Sequence, residues 1–107
     1  GEDGTQLGFL AQGGDGCISV TANVAPKSMA EFHKAWKEGD VALAQEINEQ
    51  LMPLHVGLFC ESNPGPVKYG VSLLGKCSDE VRLPLAALSA DGRKTVEAAM
   101  RSARLLN

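Results

Sequence analysis

Long apolar runs are missing from this chain of 107 residues. The longest near-apolar stretch, Val81 to Leu88, is broken by Arg82 and Pro84. That falls far short of the roughly 20 residues a membrane helix needs, so no membrane partner is expected. Basic runs are missing as well. The ten Lys and Arg residues are scattered and the formal net charge is −3, which argues against nucleic acid as a partner. The opening Gly1-Glu2-Asp3-Gly4 has neither a basic region nor an apolar segment, so no signal peptide is expected in it. Cysteine is scarce. Cys17, Cys60 and Cys77 are odd in number and fit neither a zinc nor a CxxC spacing. They read as reduced packing thiols, which points to a cytoplasmic protein. His33 and His55 stand 22 positions apart with no carboxylate at a ligand spacing such as HExxH, so no metal is expected. Internal repeats and low-complexity tracts are absent too.

What is present is apolar side chain, 44% of the residues, enough for one domain to bury roughly two-thirds of its extended surface. Its spacing is mostly helical. Thr5 to Gln12 predicts a short helix closed by Gly13-Gly14, with Leu7 and either Leu10 or Phe9 turned inward. Pro26 suits the first turn of a second helix. Ser28 and Glu31 have capping-box spacing, Met29, Phe32 and Trp36 form an apolar stripe, and Gly39 ends the helix. Asp40 can cap the next and longest helix, where Val41, Ala44, Ile47, Leu51, Leu54 and Leu58 define one buried face. Pro53 interrupts that pattern and predicts a kink, at a cost of about 3 kcal/mol. Ser62 to Pro66 reads as a turn. Val67, Val71 and Leu74 predict a further helix closed by Gly75, and a last helix begins near Ala90 with Val96, Met100, Ala103 and Leu106 inward.

One segment breaks the helical rule. Cys17 to Val24 is rich in Ile, Val and Thr and predicts a strand buried on both faces. A single strand cannot form a sheet, because its ladder donors and acceptors would be buried without partners. Either the strand is mistaken, or it pairs between chains, or it is the tail of a larger α/β protein. The last reading is favoured.

Several side chains invite a chemical reading and receive a plainer one. Lys27 follows the strand and Lys68 follows a proline-rich turn, but a solvated surface lysine is expected at each. Glu2 and Asp3 are adjacent carboxylates, and solvation in a loop is preferred to a proton-handling pair. Gly13-Gly14-Asp15-Gly16 has the glycines of a phosphate loop, yet a strand rather than a helix follows, so a turn is expected. His55, beside Leu54, reads as a helix-surface or packing residue.

Four stretches taken together carry a family resemblance. They are GGDGCISVTANVAPK (Gly13 to Lys27), LMPLH (Leu51 to His55), NPGPVK (Asn63 to Lys68) and RLPL (Arg82 to Leu85). Their order and intervals resemble the C-terminal part of the dihydrodipicolinate synthase family, also called 4-hydroxy-tetrahydrodipicolinate synthase, across essentially the whole chain. Gly65 departs from the aliphatic residue usual at that place in the family. The resemblance implies an α/β fold, the last part of a TIM (β/α)8 barrel over residues 1–39 and a C-terminal helical domain over 40–107. Barrel strand seven would end near Gly1, the Cys17–Ala22 segment would be strand eight, and an upstream barrel segment would supply its neighbours.

The same resemblance implies a lyase of lysine and diaminopimelate biosynthesis. It condenses pyruvate with aspartate semialdehyde through a Schiff base on a lysine that lies upstream. No catalytic residue would then fall in this segment, which alone should be inactive, and no cofactor is expected. Ile18 matches the position whose backbone lies against pyruvate. Gly1 and Asp3, with Glu2 a weaker match, border the second-substrate pocket. A homotetramer is the implied assembly. Two other functions stay open. A sugar-acid aldolase of the N-acetylneuraminate lyase type shares the Schiff base, although Val20 and the Thr21-Ala22-Asn23 triplet differ from the hydroxyl and TYN-like residues favoured there. A non-enzymatic helical interaction module would use the Val41 to Leu58 stripe.

Overall fold

The computed structural model describes every residue from Gly1 to Asn107. It has five α-helices, α1 (Gln6–Ala11), α2 (Pro26–Lys37), α3 (Val41–Gly57), α4 (Gly65–Leu73) and α5 (Ala90–Ser102). Single 3-10 turns at Asp3–Thr5 and Thr21–Asn23 lead into α1 and α2. None of the helices is long and apolar enough to cross a membrane.

Helix α2 starts where proline allows, with Pro26 in its first turn and Ala25 at the cap position. Ser28 therefore lies inside the helix, and the predicted capping box with Glu31 does not form. Met29, Phe32 and Ala35 are buried, with Trp36 packed at their edge. The helix stops at Gly39, whose φ of +82° suits glycine. The Asp40 amide donates back to the Ala35 carbonyl at 2.8 Å. Asp40 then caps α3 as predicted, its Oδ1 accepting from the Leu43 amide at 3.1 Å.

Helix α3 lies at the centre, packed against both α2 and α5. Ala44, Ile47, Leu51, Leu54 and Leu58 form its buried face. Val41, predicted on that face, is exposed. The helix runs unbroken through Pro53. The carbonyl that Pro53 leaves without an amide donor belongs to Glu49, and both residues are exposed, so water can reach it. Gly57 lets α5 come close, since a Cβ there would stand 3.1 Å from the Ala99 Cβ.

The predicted turn at Ser62 to Pro66 leads into α4, and the Asn63–Pro64 and Leu83–Pro84 peptide bonds are cis. Gly75, with φ of +73°, closes that helix as expected. Gly70 sits against Val24 and Met100. Helix α5 opens at Ser89, whose hydroxyl accepts from the Gly92 amide at 3.0 Å. It buries Val96, Ala99 and Met100, with Ala103 just beyond its end. At the N-terminus, Leu10 rather than Phe9 is the inward residue of α1, and Phe9 is 54% exposed.

The strand predicted over Cys17–Val24 does not form over that span. Thr21–Asn23 winds into a 3-10 turn, and Val20 already has the helical φ of −76° and ψ of −44°. Side chains take the donors that a ladder would need. The amides of Val20 and Thr21 donate to the Asp3 carboxylate, and the Ala22 amide donates to the Ser19 hydroxyl. Ahead of this turn, residues 14–19 belong to no helix. The backbone amides and carbonyls of Asp15 to Ser19 form no backbone hydrogen bond within the chain. Ile18 is 92% exposed.

Candidate functional site

The N-terminal residues and this unpaired run meet side by side. Gly1 lies so near Ile18 that a Cβ on it would stand 2.6 Å from the Ile18 carbonyl oxygen. Only glycine permits that approach without a shift in backbone. Two residues that the sequence marks as site candidates are thus neighbours in space, with the Ile18 side chain pointing into the open.

Asp3, the third candidate, occupies a different place. The sequence reading of a solvated loop pair is correct for Glu2, which is exposed and accepts from the Gly4 amide at 3.4 Å. It fails for Asp3, which is 1% exposed. One Asp3 oxygen accepts from the Ser19 hydroxyl at 2.6 Å and faces the Cys17 thiol at 3.8 Å. The other accepts from the Val20 and Thr21 amides at 2.9 and 3.2 Å. No cation pairs with this carboxylate, the one salt bridge in the chain being Arg93–Asp79 at 3.3 Å. Its charge is held by oriented N–H and O–H dipoles, a strong form of hydrogen bond. Such an arrangement makes Asp3 a clamp on the backbone and leaves it no free oxygen edge for solvent.

Beyond Thr21 the network crosses into the helical core. The Thr21 hydroxyl and His55 Nδ1 are 2.7 Å apart, and both residues are buried. Either ring tautomer can be matched by rotating the hydroxyl. Burial pushes the His55 imidazole below its ordinary pKa, opposed by the negative charges of Asp3 and Glu2. It is therefore a neutral hydrogen-bonding partner and not a surface histidine. Burial, together with the Asp3 charge, pushes the Cys17 thiol up, which makes it a poor nucleophile. Gln6 is also buried, and its Nε2 finds no acceptor within the chain.

The remaining candidates stay apart from this cluster. Lys27 is exposed on the first turn of α2, and Lys68 donates its Nζ to the Glu80 carbonyl. Gly13 takes φ of +101° in a simple turn. No group of three His, Cys, Asp or Glu side chains converges anywhere. The cluster can bind and orient, but it presents no exposed nucleophile and no general acid–base pair.

Ser19 carries no signal of its own in the sequence, Thr21 enters only within the Thr21-Ala22-Asn23 triplet, and of the two readings offered for His55, helix surface or packing, the buried one holds. One signal was available for His55: it follows Leu51 by four residues and precedes Leu58 by three, which places it on the buried stripe of α3. A buried histidine implies a hydrogen-bond partner. Nothing in the sequence named Thr21 as that partner.

Known proteins share both sequence and backbone with this chain. The profile of the dihydrodipicolinate synthetase family matches residues 1–103. The 4-hydroxy-tetrahydrodipicolinate synthase of Gluconacetobacter diazotrophicus is 57% identical over all of the chain, which covers 36% of that protein. The enzyme of the same name from Bradyrhizobium diazoefficiens is 53% identical, again with 36% of its length covered. Among solved structures, dihydrodipicolinate synthase from Thermotoga maritima superimposes with a TM-score of 0.95 at 38% identity, covering 99% of this chain and 36% of that one. The chloride-inhibited Acinetobacter baumannii enzyme complexed with pyruvate gives a TM-score of 0.92 at 39% identity, covering 99% and 36%. The chain spans about a third of the length of the relatives it matches.

Proposed function

The chain belongs to the dihydrodipicolinate synthetase family, and from that premise we propose that it is the C-terminal portion of a pyruvate-condensing lyase. Within the complete protein, residues 1–39 finish a TIM barrel and residues 40–107 form a helical domain packed beside it. The run from Asp15 to Ser19 becomes part of the eighth strand, pairing with the first and seventh strands. One observation carries this reading: the run belongs to no helix, its backbone groups have no partners in the chain, and Ile18 is 92% exposed. Buried Gln6, with an amide donor unanswered, supports it in the same sense.

The reaction follows from the family. An upstream lysine, desolvated so that its amine is neutral, adds to the pyruvate carbonyl and loses water to form a Schiff base. The enamine derived from it attacks the aldehyde of aspartate semialdehyde. Cyclisation and release of the lysine complete the step toward lysine and diaminopimelate. The Ile18 backbone lies against pyruvate and Gly1 borders the second-substrate side of the pocket, at the C-terminal ends of the strands. Asp3 serves that pocket from beneath and does not line it. The protein works in the cytoplasm as an assembly of several copies.

Borohydride reduction in the presence of pyruvate tests the assignment on the complete protein. A stable pyruvate adduct should appear on one lysine outside residues 1–107. No adduct, or an adduct on Lys27 or Lys68, would overturn it. Cleavage of sialic acid or of keto-deoxy-gluconate by the complete protein would shift the assignment to a sugar-acid aldolase.

A further inference from the structure

We propose that Asp3, Thr21 and His55 act as positioning residues for the pyruvate pocket, holding Gly1 and the Ile18 carbonyl at their close separation. This inference rests on the reading of Gly1 and Ile18 given above. The Asp3 carboxylate stands two residues after Gly1 and takes hydrogen bonds from Ser19, Val20 and Thr21, which directly follow Ile18. One side chain thereby ties together the two segments whose meeting makes the pocket wall. Asp15 to Ser19 has no backbone hydrogen bond within the chain, so the bonds to Asp3 are its directed ties to the N-terminal residues. The Thr21–His55 bond anchors the far end of this clamp to α3, the central helix. Apolar residues could fill the same buried space with no need for matched donors and acceptors. The network instead places four directed bonds on the few residues that set where Ile18 stands.

The test uses the complete protein and its steady-state kinetics. Thr21→Val removes the hydroxyl while keeping the shape, and it should raise the KM for pyruvate about tenfold, the upper range for one neutral hydrogen bond. The kcat should stay within about twofold. Thr21→Ser restores the hydroxyl and should return the pyruvate KM to within about twofold of the parent. His55→Gln, which keeps a polar partner at a different reach, should fall between the two. Should Thr21→Val and His55→Gln both lower the melting temperature yet leave the pyruvate KM unchanged, the network is structural only and the inference fails. Failure of Thr21→Ser to rescue overturns it as well. Absence of a borohydride-trapped adduct in the unsubstituted protein sinks the lyase reading itself, and is distinguished from the other outcomes by needing no variant.

Discussion

Ile18 and Ile47 carry the same side chain in two regions with opposite fates. Ile47 is 7% exposed, one knob in the helical face that α3 turns toward α2, and Ile18 is 92% exposed on a run without backbone partners. A helix closes its own hydrogen bonds and needs a neighbour only for its apolar stripe. An extended segment needs neighbours for its backbone as well as its side chains. Residues 40–107 contain most of what their helices require, whereas the run before Val20 does not.

The strongest test of that contrast lies in the helical core. Leu54→Ala, at a fully buried position, should lower unfolding free energy by about 3 kcal/mol in urea titration of the complete protein. A loss under about 1 kcal/mol would mean α3 is less central than its packing indicates. Ile18→Ala sharpens the difference by changing its surroundings. In the complete protein it should cost about 2 kcal/mol, and in the separate 107-residue chain less than about 0.5 kcal/mol. Equal losses in both would place Ile18 outside the barrel. Asp40→Ala removes the cap of α3 and should cost about 1 kcal/mol by the same titration, with the pyruvate KM unchanged.

The smallest effect is a slope in pH. Burial holds the folded-state pKa of His55 below its ordinary value of 6.5. The unfolded chain therefore takes up the proton first as pH falls. The stability contributed by neutral His55 is complete above pH 6.5 and declines below it, until the lower folded pKa is reached. His55→Gln should flatten that part of a plot of unfolding free energy against pH, whatever it does to the absolute value. An unchanged slope would show that His55 titrates as freely folded as unfolded.

Helix positions were legible because the pattern that encodes them is local. Met29 and Phe32, or Leu51, Leu54 and Leu58, sit three or four residues apart and bury one face wherever the helix packs. Gly39 and Gly75 marked stops because each takes a left-handed conformation. The differences at Ser28 and Val41 both concern first turns, and at Ser28 the proline at residue 26 decides where the helix starts. The strand expected over Cys17–Val24 does not form: residues 17–19 belong to no helix or strand, and Thr21–Asn23 is a 3-10 turn. What ends the run is a carboxylate at residue 3, and no rule of short range links Asp3 to Val20 or Thr21. The same distance hid the Thr21–His55 bond, which spans 34 positions. Gly1 and Ile18 were legible only through resemblance to a family, since their meeting depends on the fold as a whole.

The two open edges of Asp15 to Ser19 have a consequence for how such a protein is made. Ribosomes extend a chain from its N-terminus, so on the proposed reading both receiving strands have been synthesised before this one. The run is then the last stave to be inserted, and the barrel stays unclosed until it arrives. An exposed edge of this kind can also pair with another chain during that interval.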